Sequence, residues 1–454
     1  MNRTLSSVRH RRLTAAGFSL IELMVAMTLG ILLSIGIVTL FGATSKTNKV
    51  QDALARLQEN GRYALTRITN DLHASAGQYC QSSNSLGWTN PGVNGPIYPG
   101  LAIMSNANGV STGSNGSFPD SGGALGTLVS AGSTYPIGPA DFMQGYDCAV
   151  GGGCTPATPT GAAPNGLPGE GQADGLRVRG ADVLTLRYQH GTGWNFQIVA
   201  GTTPAHLLLT PNVVAGQQMD DPINFQPNDR ALLLSCGGGQ IFQVTRSGNT
   251  LTPSTLENSG SYNPSGTVGS FDVRVFNFSR DFTTVTYYLA YKTDPSGTNV
   301  DGSARLIPTL YRRQNGSATP DELVQGVERM DFVYGVQYVD ATLHYLTADA
   351  VTNNSTAANC SPPPPALGLA AGTVEAGCLW RSVKSIDVHL LLDTVNNITL
   401  SGADMAYRYT GGAAGDTGMV VPPDPSTAMD NGMVAGYMMR REFVASVAVR
   451  NGTH

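Results

Sequence analysis

Glu22 is a lone carboxylate inside an uncharged apolar run from Phe18 to Ala43, five residues past Gly17. Before it lies a basic leader, Met1 to Gly17, that holds Arg3, Arg9, Arg11 and Arg12 and no acidic residue. At about 1.5 Å per residue the run exceeds a hydrocarbon thickness of ~30 Å, so it is long enough to span a bilayer. A carboxylate in such a segment costs a few kcal/mol on insertion scales and calls for a partner. Cleavage after Gly17 would create one, because Phe18 would then carry a free α-amino group one helical turn from Glu22 on the same face. The chemistry these residues suit is therefore processing of the chain followed by ion pairing. A secretory signal peptide does not fit: it is cut after a short apolar core, whereas here the small residue precedes a long one. A plain signal anchor, with Glu22 snorkelling to the headgroups, explains the span but gives Gly17 and Phe18 no role.

Other residue types invite chemistry less well. "GVSTG", Gly109 to Gly113, fits the spacing of a nucleophile elbow around Ser111, but the elbow needs a strand before it and a helix after it. Its flanks, "SNAN" and "SNGSF", have loop composition. His73 falls on a helical stretch, where solvation or packing is its ordinary role, and His389 between Val388 and Leu390 reads as a satisfied sheet histidine. Asp220 and Asp221 precede a proline and lack EF-hand spacing. The six cysteines, Cys80, Cys148, Cys154, Cys236, Cys360 and Cys378, show no C-x-x-C spacing, which argues against zinc. An even count in an oxidising compartment reads as up to three disulfides, with 15 connectivities open. Pairing nearest neighbours, Cys148 with Cys154 and Cys360 with Cys378, is the simplest choice and leaves Cys80 with Cys236. A loop the size of the second contributes roughly 3 kcal/mol on the chain-entropy model.

The elements that must carry these residues follow from composition and periodicity. With 454 residues the chain holds one large or two ordinary domains beyond the apolar run. Charged residues are only 13%, glycine numbers 55, and the net charge of −5 points away from nucleic acid. Arginines on the leader side place the leader in the cytoplasm and the polar bulk outside. Beyond Ala43 an apolar stripe continues through Val50, Leu54, Leu57, Gly61, Leu65, Ile68 and Leu72. Asp52 with Arg56 and Arg67 with Asp71 are spaced as i,i+4 ion pairs on its solvated parts. No proline interrupts Phe18 to Ala76, and Gly77 is a C-terminal stop signal. The expectation is a helix on the order of 88 Å long, apolar all round in its first half and packed on a globular domain by its second. Gly30, Gly36 and Gly42 either permit close helix approach or are merely tolerated in lipid.

Residues 78–173 are rich in Gly, Ser, Asn, Thr and Pro and read as long surface loops, with one short strand near Leu101 to Met104. Strand patterns then become dense: Ala181 to Tyr188, Trp194 to Ala200, Arg230 to Cys236, Ile241 to Thr245, Phe271 to Phe278, Thr284 to Tyr291, Met330 to Tyr338, Val383 to Leu392 and Glu442 to Arg450. The proline run Pro362 to Pro365 reads as loop. The fold class is α+β: a long N-terminal helix on an antiparallel β-rich domain. The boundaries are a leader at 1–17, a membrane or filament-core helix at 18–44, its amphipathic continuation at 45–76, and the β-rich domain at 77–454.

The segment "AAGFSLIELMVAMTLGILL" is similar to the class III leader of type IV prepilins. The later landmarks "ADVLTLRY", "NDRALLLSCGGGQIFQV", "LVQGVERMDFVYGVQY", "VKSIDVHLLL" and "RREFVASVAVRNG" resemble, in order, the PilW-type minor pilins of Gram-negative bacteria. The resemblance implies a pilin-like fold and a non-enzymatic subunit that primes type IV pilus assembly at or near the tip, supporting twitching motility and adhesion. It implies cleavage by prepilin peptidase between Gly17 and Phe18, N-methylation of Phe18, and Glu22 as the assembly carboxylate. Implied partners are other minor pilins, the major pilin, a tip adhesin and the inner-membrane assembly platform, with no cofactor or metal. It also implies an inner-membrane, single-pass location with the globular domain periplasmic, then the pilus tip. Two neighbouring roles share the leader and helix: a pseudopilin of a type II secretion system, and an adhesin that binds receptors through the loops at 78–173.

Overall fold

The computed structural model describes residues 19–75, 77–78, 81–82, 88–89, 96–97, 101–104, 134–136, 142–159, 161, 166–202, 205–210, 213–214, 217–218, 223–227, 229–235, 238–253, 273–298, 304–360, 374, 377–398, 405–411, 419–420, 429 and 433–449. Two compact units divide the chain, Met1–Ala55 and Arg56–His454. A single helix, α1 (Leu20–Ala74), runs from the first into the second. Through Ala43, within the first unit, it is apolar all round apart from Glu22 and its side chains are exposed. In the second it is amphipathic and buries Leu57, Gly61, Ala64, Ile68, Asp71 and Leu72. The buried stripe thus takes Ala64 where the sequence suggested Leu65, which is half-buried. The helix stops at Ala74, two residues before the expected Ala76, where the Ser75 hydroxyl donates to the Leu72 carbonyl at 2.6 Å.

Antiparallel strands build the rest of the second unit. Strand β1 (Met143–Cys148) lies within the stretch expected to be loops, and corrects that expectation. Its signal is weak because Gly145 interrupts it. A Cβ there would lie 2.1 Å from the Tyr334 hydroxyl and 2.9 Å from the Trp380 ring, so only glycine lets those two aromatics close over the strand. Next comes β2 (Val183–Gln189), followed by a ring of strands: β3 (Asn195–Val199), β4 (His206–Thr210), β5 (Arg230–Ser235), β6 (Gly238–Ser247), β7 (Thr250–Pro253) and β8 (Arg274–Asn277). They pair in the order β3-β4-β7-β6-β5-β8. Trp194 and Val275 close the ring by exchanging backbone hydrogen bonds at 2.8 and 3.0 Å. Inside it Trp194, Leu207, Leu209, Phe225, Leu233 and Phe242 form one packed core. The expected strand near Leu101 to Met104 is present and joins β6 in parallel.

After one helical turn, α2 (Phe278–Asp281), capped by the Asn277 side chain, the chain enters its longest strand, β9 (Phe282–Thr298). With β10 (Ala304–Gln314) and β11 (Asp321–Gln325) this makes the central sheet, ordered β11-β10-β9-β2-β1 and ending on the short pair Cys154–Thr155. Pro308 lies inside β10, where proline ordinarily argues against a strand. It sits opposite Tyr291, whose N–H goes instead to the Leu176 carbonyl, and its own carbonyl accepts from Gly326 beyond the end of β11. No ladder bond is lost. Gly326, at φ 81°, turns the chain out of the central sheet and into β12 (Val327–Gln337). A Cβ there would lie 2.6 Å from an Asp393 oxygen, so the corner excludes side chains on space as well as conformation. A second sheet follows: β13 (Leu343–Leu346), a short helix α3 (Ala348–Asn353), β14 (Val383–Asp393) and β15 (Arg440–Ala448), ordered β13-β12-β14-β15.

Cys148 pairs with Cys154 and Cys360 with Cys378, the two nearest-neighbour disulfides expected. Cys80 and Cys236 lie outside the described residues, as do the leader, Gly17, Phe18, Ser111, Asp220, Asp221 and the Pro362 to Pro365 run.

Candidate functional site

Ser19 and Glu22 tie the start of α1 together. The Ser19 N–H donates to Glu22 Oε2 at 2.9 Å, and the Glu22 N–H donates to Ser19 Oγ at 3.2 Å. This is a reciprocal capping box, which satisfies two of the orphan donors at a helix start and sets a negative charge at the positive end of the helix dipole. Among the described residues Oε1 accepts nothing, so the carboxylate keeps a free oxygen for a second donor. The Ser-x-x-Glu spacing at 19–22 carries this signal in the sequence. Behind the cap the apolar side chains stand in the open: Leu20 is 78% exposed and Phe41 72%. By length and composition this helix can cross a membrane. A Cβ added at Gly30, Gly36 or Gly42 would meet nothing within 4 Å, so no contact inside this chain demands glycine there.

In the second unit the helix is fastened to the central sheet through Asp71. The expected Arg67–Asp71 pair is replaced, because Asp71 turns inward and is only 5% exposed. Arg312 of β10 donates through Nε to Asp71 Oδ2 at 2.7 Å. The Tyr287 hydroxyl of β9 donates to the same oxygen at 2.6 Å, and the Tyr188 hydroxyl of β2 to Oδ1 at 3.1 Å. Three adjacent strands thus converge on one helical carboxylate, since Tyr287 is in register with Arg312 and Tyr188 lies on the same face of the sheet. Arg67 contributes only its carbonyl, 3.2 Å from the Tyr287 hydroxyl. Burial, reinforced by the Asp71 charge, pushes the Tyr188 hydroxyl up to about 12 and Tyr287 higher still. Burial alone would lower Arg312, but its hydrogen bonds and charge contact with Asp71 outweigh that and raise it. The group is a fully paired structural lock. A second contact fixes the helix to β15: a Cβ at Gly61 would fall 2.6 Å from the Phe443 ring, so the ring rests directly on the helix backbone.

The remaining singled-out groups are structural. His389 is nearly buried, and its Nδ1 lies 2.9 Å from Glu442 Oε1, which also accepts from the Thr410 N–H and hydroxyl. Asp182 joins the two sheets, accepting from the Cys148 N–H and the Phe332 N–H at 3.0 Å each. Arg440 forks onto Glu328 at 2.7 and 2.8 Å beside Asp393, all buried at the Gly326 corner. The cluster of Cys148, Cys154 and Glu170 has ligand-like spacing, but its sulfurs are joined in a disulfide and cannot bind a metal as thiolates.

Residues 287–451 match the family model for type IV pilus-assembly protein W, PilW. The match takes in most of β9 and all of β10 to β15, and so contains Tyr287, Arg312 and Phe443, three of the side chains that hold the helix, while Tyr188 of β2 lies outside it. No curated protein and no solved structure matches the chain. Over that C-terminal stretch, less than half of its length, the chain is similar to the PilW family of type IV pilus-assembly proteins.

Proposed function

We propose that the chain is a minor pilin that is cut after Gly17, N-methylated on Phe18 and built into the pilus at or near its tip. Before assembly α1 anchors it in the inner membrane with the β domain on the periplasmic side. During assembly the free oxygen of Glu22 takes the α-amine of a neighbouring subunit. Both groups are poorly solvated in the bilayer, so pairing offsets both penalties and fixes the stagger of adjacent helices. Stacking the helices keeps the exposed apolar side chains from water once the subunit leaves the membrane. Other minor pilins, the major pilin and a tip adhesin are the neighbours this reading requires. The chain acts as a structural part, with no reaction of its own, and supports motility and adhesion through the pilus.

The observation that carries this reading is the open apolar helix headed by a carboxylate with one oxygen to spare, on a chain whose residues 287–451 match a pilus-assembly family. Replacing Glu22→Ala tests it. Insertion and cleavage should persist, while recovery of the protein in sheared pili falls about tenfold or more, tenfold corresponding to roughly 1.4 kcal/mol of lost pairing. Undiminished recovery would contradict it.

A further inference from the structure

Strand β15 is an open sheet edge of a kind found nowhere else among the described residues. It pairs with β14 through nine residue pairs, from Ser385 with Ala448 to Asp393 with Arg440, with no bulge. The Val449 N–H donates inward to the Lys384 carbonyl and the Met439 carbonyl accepts inward from Thr394, so odd-numbered residues bond to β14. The N–H and C=O groups of Glu442, Val444, Ser446 and Ala448 therefore point outward, and among the described residues nothing pairs with them. Val444 is 48% exposed, and Ser446 and Ala448 are exposed beside it.

The other edges are guarded. The barrel closes on itself through Trp194 and Val275. On the central sheet β11 begins with the carboxylates of Asp321 and Glu322, and the far edge is only Cys154–Thr155, pinned by a disulfide. Strand β13 spans just Leu343–Leu346, and Thr134–Pro136 ends in proline. Strand β15 also begins with charged residues, Arg440 to Glu442, but from Phe443 to Ala448 it carries none, and a long unbroken edge of that kind is a template for another strand that proteins normally avoid unless it is used.

We infer that β15 is a docking edge that accepts one extended strand from another prepilin-type subunit, extending the β13-β12-β14-β15 sheet across the subunit boundary. This rests on the assembly role proposed above. Main-chain pairing from Glu442 to Ala448 supplies the binding, and the uncharged surface of Val444, Ser446 and Ala448 selects small or β-branched side chains. Arg441 is exposed at one end and has no partner among the described residues, so it favours an acidic residue on the incoming strand. Phe443 on the opposite face rests on Gly61, so an added strand would be held in fixed relation to the packed part of the assembly helix.

A photo-reactive benzoylphenylalanine at Ser446, in the full chain in piliated cells, tests this. The expected adduct is to consecutive residues of a strand in another subunit that carries its own cleavable apolar leader. Val444→Pro removes one outward N–H while leaving every bond to β14, and should cut that adduct about tenfold, as should Val444→Lys, which adds a charge to the edge. In unsubstituted protein the Val444 and Ser446 amides should exchange at least about tenfold more slowly in sheared pili than in detergent. Absence of the adduct, an adduct only to a second copy of this chain, an adduct that survives both substitutions, or equal exchange in the two states would overturn the inference. In any of those cases a loss of incorporation on Glu22→Ala would leave the assembly role standing.

Discussion

Carboxylates have different surroundings in the two units of this chain. Glu22 keeps an oxygen in reserve at the head of an exposed helix, whereas Asp71, Asp182, Glu328 and Asp393 of the second unit are buried. Burial first, then the negative charge of Glu328, lifts the Asp393 carboxyl well above its ordinary value near 3.8, against the opposing pull of Arg440. Asp393 thus holds its proton more tightly folded than unfolded. That stabilisation is complete below the ordinary carboxyl range and is lost as pH rises through the lifted value. Asp393→Asn imitates the protonated form at every pH. Chemical denaturation between pH 4 and pH 8 (about the range over which a buried carboxyl titrates) should show a shallower fall in stability for the variant. An unchanged slope would mean that Asp393 is already ionised in the folded protein. Glu22 was legible in the sequence because an apolar run isolates it. Asp71, Asp182 and Asp393 were not, because an isolated Asp in a mixed sequence reads as surface until its distant partners are known.

Between elements, the decisive contact is a single helical carboxylate gripped by three strands. Asp71→Ala would leave Arg312 buried without its counter-charge and two tyrosine hydroxyls without their acceptor. Removing one partner of such a pair costs about 3–5 kcal/mol, against ~0–1 kcal/mol for an exposed pair of the i,i+4 type. Denaturation of purified protein should register a loss in the higher range. A loss below about 1 kcal/mol would show that Asp71 contributes only as a surface ion pair. The helix itself was readable from its stripe, since Leu57, Ile68 and Leu72 are buried as expected. Its bonding partner was misassigned because i,i+4 spacing identifies a neighbour along the helix and cannot register residues some two hundred positions away. Each of the nine patterned strand stretches corresponds to a strand. Three of the missed ones have physical reasons: Gly145 breaks the pattern in β1, Pro308 argues against β10, and β13 is only four residues long; β4, β7 and β11 were also missed.

For the whole molecule, the α+β class and the two local disulfides followed from sequence, while the division of strands into a closed barrel and two open sheets did not. That division depends on pairings such as Trp194 with Val275 and on the one-residue corner at Gly326, which periodicity does not encode. The family match covers the second sheet and the β9 to β11 part of the central sheet and omits the barrel, so it includes Tyr287, Arg312 and Phe443 of the helix contacts but not Tyr188. Intact-mass and N-terminal analysis of protein recovered from sheared pili bears directly on the helix as an assembly device. A mature chain that begins at Phe18, carries one methyl group there and retains the Cys148–Cys154 and Cys360–Cys378 bonds is the predicted result. A chain from the same filaments that still begins at Met1 would contradict it.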